Sequence, residues 1–522
     1  MASPKAQECY KQFSALRYEV RRWLNQCIRL EPPGLRYGSG DEVNYSLAWF
    51  QHYLITREEK SLIHLQYLKS VLAAWVKDHC HHGYPPNIDV HHGSEPFALY
   101  LNRYTGLTQD KMAIEMLSDV AEHIGNWVEG IPEWYDYKRH VFYSNEFGTS
   151  NVNHAGSQQY QRADHLRMVH IALAAYRNGG DQRYLDWAIE YGKKRARLLV
   201  DAPSPLPLLW KLDDSPVDEA LVHRQGLAAM ASKDHHVIGD PLSGIENLLA
   251  SGAIYILGDL YALTGDDVFK AAADRIVKPL LPVLSDPYSD PAAAAVSYYR
   301  VAFNSDGHDT EILEQISNIP AQSEYELTML VTENTIRRGR GVGRRKDMVY
   351  WGELLPDGGV RPIREPSSAF LALAYQLTGL PEYAIRAFKS AASRMSIARR
   401  VLRSGREHAD SGSAISSIAR GHGRNWGQGA VTGCYGPLVL GTREILGKVT
   451  PFIETKTQDD TLGLPENILT LVREPIRGRG DILVMNVGSA QEMFHFRIPQ
   501  QSSDWQSIAV GPGEVKSIPV QV

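Results

Sequence analysis

The sequence predicts a mainly α protein: an (α/α)6 toroid over residues 1–447, followed by a small all-β, sandwich-like C-terminal domain over 448–522. Three observations predict it. Segments apolar on most sides alternate with segments apolar on one face only. The first kind closes on related turns, NRYTGL, YALTGD and YQLTGL. After Lys448 the helical period gives way to short strand-like runs separated by Gly, Pro, Ser and Asp.

The chain opens on an amphipathic helix over about 8–29, with Tyr10, Phe13, Leu16, Val20, Trp23, Leu24 and Cys27 on one face. A Pro-Gly turn stops it. Six segments then read as inner helices: SGDEVNYSLAWFQHYLI (39–55), HHGSEPFALYLNRYTG (91–106), SQQYQRADHLRMVHIALAAYRNGG (157–180), LSGIENLLASGAIYILGDLYALTG (242–265), REPSSAFLALAYQLTG (364–379) and RNWGQGAVTGCYGPLVLGTREI (424–445). More charged, one-faced helices read at 59–78, 108–128, 182–200, 266–284 and 381–402, with 8–29 as the sixth. Antiparallel hairpins of this kind wrap into a ring. An open solenoid is the alternative; it calls for a fixed repeat period, whereas these inner helices start about 50 to 120 residues apart. Long insertions at 129–156, 201–240 and 285–363 suit loops that build a site. Within the last, VSYYRVAF (296–303) reads as a strand and 348–363 as a hairpin turning on PDGG. In the tail, 468–472, 482–487, 493–498, 508–510 and 515–520 read as strands.

The chain has 522 residues and a formal net charge of −5, which argues against nucleic-acid binding. Of its 55 basic residues 37 are arginine, the better bidentate partner of carboxylates, and 19 histidines accompany them. Genome composition or an anionic ligand explains this surplus. No apolar run is long enough for a membrane span and the first residues hold no signal-like apolar stretch, so cytoplasmic residence is the expectation. Cys9, Cys27, Cys80 and Cys434 are scattered, which speaks against a disulfide framework. Oligomeric state stays open, a homo-oligomer included.

In a helical ring, residues at the openings of the inner helices converge on one cleft. The richest opening is 144–170, with Glu146, Asn153, His154, Gln158, Gln159, Tyr160, Arg162, Asp164 and His165. Tyr160 and Asp164, four apart, would share a helix face. The second, 89–100, carries Asp89, His91, His92 and Glu95; Glu95 also suits a first helical turn electrostatically. The third holds His235, His236, Asp240 and Glu246, the fourth His422, Arg424, Asn425 and Trp426, and the fifth Glu353, Arg361, Arg364 and Glu365. Adjacent histidines point apart and no HExxH spacing occurs, so no metal site is expected. GRGVGR within 336–345 lacks the strand–helix context of a nucleotide loop, and no GxSxG elbow is present; no cofactor is expected.

The hairpin alternation over about 8–446 and its polar openings resemble the six-hairpin glycosidase superfamily, which includes unsaturated glucuronyl hydrolases and other uronic-acid-acting glycosidases. That resemblance implies two aspartates on successive inner-helix openings; by position Asp164 matches one and Asp89 the other. Asn153-His154 with Tyr160 also resembles toroidal polysaccharide lyases, in which an Asn-His pair and a Tyr act on a glycuronan. A hydrolase needs one carboxyl to protonate the leaving oxygen and another to activate water, roles open to Asp164 with Glu95, Asp89 or Glu246. A lyase would use His154 or Tyr160 as base, with Asn153 and Arg162 neutralising the substrate carboxylate. His165, His92, His235, His236, Glu365, Arg364, His422, Arg424, Asn425 and Trp426 complete the expected carbohydrate contacts. The hydrolase reading, acting from a chain end on an anionic saccharide, stands first. The lyase and a non-catalytic glycan-binding protein are the alternatives.

Overall fold

The computed structural model describes residues 4–29, 40–218, 243–285, 289–321, 327–331, 349–354, 357, 360–363, 365–401 and 431–520. The architecture is mainly helical with small antiparallel sheets at the C-terminal end. Helix α1 (Pro4–Ile28) buries Phe13, Leu16, Val20, Trp23 and Leu24, the face expected from its period. It is followed by α2 (Gly40–Thr56) and α3 (Glu59–His79), which pack together. The second inner segment is broken into α4 (Val90–Glu95), a π-helical turn (Pro96–Leu101) and α5 (Asn102–Thr108), with α6 (Lys111–Ala121) returning outside. Proline at the junction removes one backbone donor, which accounts for the change of winding.

Helices α7 (Arg167–Arg177) and α8 (Gln182–Asp201) form the next hairpin. Every residue from Arg167 to Ala175 is buried, whereas α8 buries Tyr184, Trp187, Ala188, Tyr191, Arg195 and Leu199 along one stripe. The expected single helix over 242–265 is two, α9 (Ser243–Ala250) and α10 (Ala253–Thr264), because Gly252 turns left-handed between them. Helix α11 (Asp267–Val277) packs back on α10. The expected strand over 296–303 is instead part of helix α12 (Asp290–Ala302), followed by α13 (Asp309–Ser317). Pro291 in the first turn and the run Ala292–Ala295 outweigh the strand preference of the tyrosines and valines behind them. Arg300 joins the two helices through Asp309 at 2.6 and 2.8 Å. Helices α14 (Ser368–Thr378) and α15 (Pro381–Val401) form the last long hairpin, and α16 (Tyr435–Leu440) is short.

Among the described helices, α2 touches the π-turn, the π-turn touches α7, α7 touches α10, α10 touches α12, α12 touches α14, and α16 touches α2. Helix α1 lies along α15, where Phe13 meets Phe388 at 5.7 Å, and reaches Tyr435 at 6.1 Å.

Short ladders fill the connections. Strand β1 (Ile88–Asp89) pairs with β4 (Glu146–Phe147), and β2 (Tyr135–Asp136) with β3 (Val141–Phe142). Strand β5 (Tyr160–Gln161) pairs with β6 (Trp210–Lys211). The hairpin expected at 348–363 is present as β8 (Val349–Leu354) and β9 (Val360–Ile363), with β7 (Leu327–Val331) added at its edge. After the ladder of β10 (Arg443–Ile445) and β11 (Lys448–Thr450), the tail forms two three-stranded sheets. One is β12 (Glu454–Lys456), β15 (Glu492–Arg497) and β16 (Gln506–Val510); the other is β13 (Ile468–Ile476), β14 (Arg479–Asn486) and β17 (Val515–Val520). Strand β13 packs on α14 and α16, and Thr470 donates to the Val439 carbonyl at 2.6 Å. No helix among the described residues is long and apolar enough to cross a membrane.

Where the β tail meets the helices, Asp259 of α10 is 3 % exposed and accepts the Leu446 N–H at 2.8 Å. Burial, reinforced by Glu444, outweighs that bond and Arg177 and pushes its carboxyl up to about 8. The folded chain therefore binds more protons than the unfolded chain between about pH 4 and pH 8, so this group lowers stability as pH rises through that window. Asp259→Asn is expected to raise stability by on the order of 1 kcal/mol per pH unit across it. The gain should be full at pH 8 and absent at pH 4. Equal denaturation midpoints for the two proteins at pH 8 would exclude this.

Candidate functional site

Two successive helix openings meet at one place. Asp89 ends β1 and caps α4: its carboxylate accepts the His92 N–H at 3.1 Å and faces His92 Nδ1 at 2.5 Å. Burial alone would raise this carboxyl, but His92 and His91 outweigh it and hold it below the usual carboxylate range. Across the ladder its register partner is Glu146. Directly opposed residues share a sheet face. Here Ile88 and Phe147 are buried on one face, and Asp89 and Glu146 are partly open on the other. Glu146 accepts the side-chain amides of Asn87 and Asn153, each at 2.8 Å.

Behind this pair Asp164 sits in a short 3-10 turn (Ala163–Leu166) that leads into α7. Arg162 Nη2 lies 2.6 Å from its carboxylate, Arg167 Nη2 2.8 Å and His91 Nδ1 3.2 Å. Burial works against ionisation, yet Arg162, Arg167 and His91 hold Asp164 well below its ordinary value. An acid fixed in the ionised form cannot be the proton donor of a hydrolase. Its place among two guanidinium groups makes it the counter-ion that orients them. Arg167, fully buried, also donates to the His91 carbonyl at 3.0 Å and the Ala250 carbonyl at 3.5 Å, tying α4, α7 and α9 together. Burial lowers Arg167 to about 10, with Asp164 and Glu95 opposing, so it stays charged at neutral pH. Burial and Arg167 push His91 down, so it is neutral there. Glu95 is 5 % exposed and lies within the field of Arg167 and His91.

Several expected contacts are placed otherwise. Tyr160 lies on β5 opposite Lys211, so it shares no helix face with Asp164. Backbone pairing with β6 holds that segment extended. His165 is fully buried, stacked on Phe142 at 4.9 Å. Its Nε2 donates to the Ser144 carbonyl at 3.0 Å and its Nδ1 accepts the Arg162 N–H at 3.1 Å. Burial lowers it to about 3, and with both nitrogens committed it contacts backbone rather than substrate. Glu365 is likewise spent: both oxygens bind Arg386 at 2.8 to 3.0 Å. Asn153 stays at the site through Glu146, and His154 is exposed, 6.1 Å from Tyr143. His92 is half-exposed beside Asp89. His235, His236, Arg364, His422, Arg424, Asn425, Trp426 and the side chain of Glu246 lie outside the described residues. Among the described residues no group of three His, Cys, Asp or Glu is arranged to hold a metal ion.

The residue missing from the expected set is Arg167. Its signal was an arginine three positions after Asp164, on a helix otherwise apolar from Met168 to Ala175 except for His170. A glycine fixes the third opening. Gly252 has φ +76°, and a Cβ there would lie 2.6 Å from His170 Nε2. Gly252→Ala is expected to cost about 2 kcal/mol or more, from the left-handed backbone and the clash together. An unchanged urea midpoint would contradict this. Comparison with family models, with curated proteins and with solved structures gave no match to this chain.

Proposed function

We propose that the chain is a glycoside hydrolase on an α/α ring, acting on uronic-acid-containing saccharides. The ring rests on contacts between helices far apart in sequence. A solenoid repeat touches only its neighbours, whereas α1 lies on α15 and α16 on α2.

The observation that carries the activity is the pairing of Asp89 with Glu146 on the open face of the β1–β4 ladder. Direct cross-strand partners hold their Cβ atoms about 5 Å apart. Two carboxyl-bearing side chains on one open face are what a glycosidase places about its bond. Asp89, held ionised by His92, is the base or nucleophile, and Glu146, across the ladder, is the second carboxyl of the pair. Asp164 keeps Arg162 and Arg167 in place. Arg162, with exposed Lys211 on the strand beside Tyr160, offers positive charge to a sugar carboxylate.

The test is incubation with a panel of uronic-acid oligosaccharides, read by mass and ultraviolet absorbance. Products that together carry one added water support the hydrolase. An unsaturated, ultraviolet-absorbing product would establish the lyase chemistry of Tyr160 or His154 and overturn the proposal. Saturable binding without any product would make the chain a glycan-binding protein.

A further inference from the structure

A cavity of about 70 Å³, with mixed polar and apolar walls, lies between helices where they meet the β tail. Its walls come from α2 (Gln51), α12 (Ser297, Tyr298), α14 (Gln376) and the tail (Thr442, Glu444, Glu474). No residue of the Asp89–Asp164 cluster lines it. Space of this size holds on the order of five water molecules, comparable to a small sugar rather than a single ion. Val301, Val449 and Ile476 on its wall are partly exposed, so it reaches solvent beside α12.

The charges around it are already balanced. Glu444 pairs with Arg103 at 2.5 Å, and Glu474 with Arg443 at 3.3 Å. An ionic ligand would enter without a counter-charge, at a high desolvation cost. Hydrogen-bonding capacity is left over, however. Thr442 Oγ1 and Glu444 Oε2, on residues 6 % and 8 % exposed, have no hydrogen-bond partner among the described residues. Buried polar atoms normally find partners. Tyr255 and Tyr298, whose ring centroids lie 4.5 Å apart, add an aromatic surface.

We propose that this cavity is a second binding site, for a small neutral polyol or monosaccharide, separate from the Asp89–Glu146 pair. The inference does not depend on the proposed hydrolase activity. Titration calorimetry of the full chain with glycerol, xylose and glucose tests it, with glucuronate as the charged control. The expected result is saturable, millimolar binding of at least one neutral probe that survives in Asp89→Asn. Ser297→Phe, which fills the cavity from α12, should weaken it at least tenfold. Should Ser297→Phe fail to fold, Ser297→Val is expected to weaken it severalfold. Absence of saturable binding by every neutral probe would overturn the proposal. So would binding that Asp89→Asn abolishes and the Ser297 variants leave unchanged.

Discussion

Replacing Glu146 with glutamine is expected to lower kcat by about 10²–10⁴-fold, the range that removal of a positioned acid or base costs. The change keeps the shape of the side chain and leaves one oxygen to accept from Asn87 or Asn153. It sets an amide against the other donor, so a small loss of stability accompanies it, on the order of 1 kcal/mol. Asp89→Asn should give a fall in kcat of similar size through a different defect. It removes the charge that His92 holds in place, while an amide oxygen can still accept the His92 N–H. Because both residues work on one bond, the double variant should be little slower than either single one. Multiplicative losses, with KM rising and kcat preserved, would show that the pair only binds sugar. That result would remove the observation on which the hydrolase reading rests.

Much of the helical frame was legible because period and punctuation agreed. The outer helix expected at 381–402 runs from Pro381 to Val401, and the five tail strands read from apolar runs fall at β13 to β17, while the short β12 was not read. Legibility failed where a local preference met a stronger context. The tyrosines and valines of 296–303 favour strands in isolation, but a proline-started alanine run had already committed the segment to a helix. At the site, the polar openings at 89–100 and 144–170 were visible, and the structure brings them together. Their division of labour was not visible. Asp164 stood out as a carboxylate at a helix opening, yet its role depends on Arg162, Arg167 and His91, and a sequence does not display a three-sided ion cluster. The partnership of Asp89 with Glu146 rests on a two-residue ladder, too short to leave a period. The inner cavity was hidden for a similar reason: Gln51, Tyr298 and Glu474 belong to segments that become neighbours only after folding.

Arg167→Leu is expected to destabilise the chain by about 3–5 kcal/mol, the cost of breaking a buried ion pair by removing one partner. Three losses combine at this position. Asp164 keeps Arg162 but loses the guanidinium at 2.8 Å, so a buried carboxylate is left undercompensated. Glu95, 5 % exposed and within the field of Arg167, loses a compensating charge as well. The carbonyls of His91 and Ala250 lose the donor that ties the openings of three helices together. Electrostatics makes the loss depend on pH in a definite direction. Without Arg167 the carboxyl of Asp164 should titrate higher, so the penalty is largest at neutral pH and shrinks as acid protonates it. Asp164→Asn in the Arg167→Leu background is therefore expected to recover part of the lost stability, although Asp164→Asn alone is destabilising. Urea denaturation of the four proteins at pH 5 and pH 7.5 measures this coupling directly. Additive effects of the two substitutions would mean that Arg167 serves as a packing element, and that Asp164 is held by Arg162 and His91 alone.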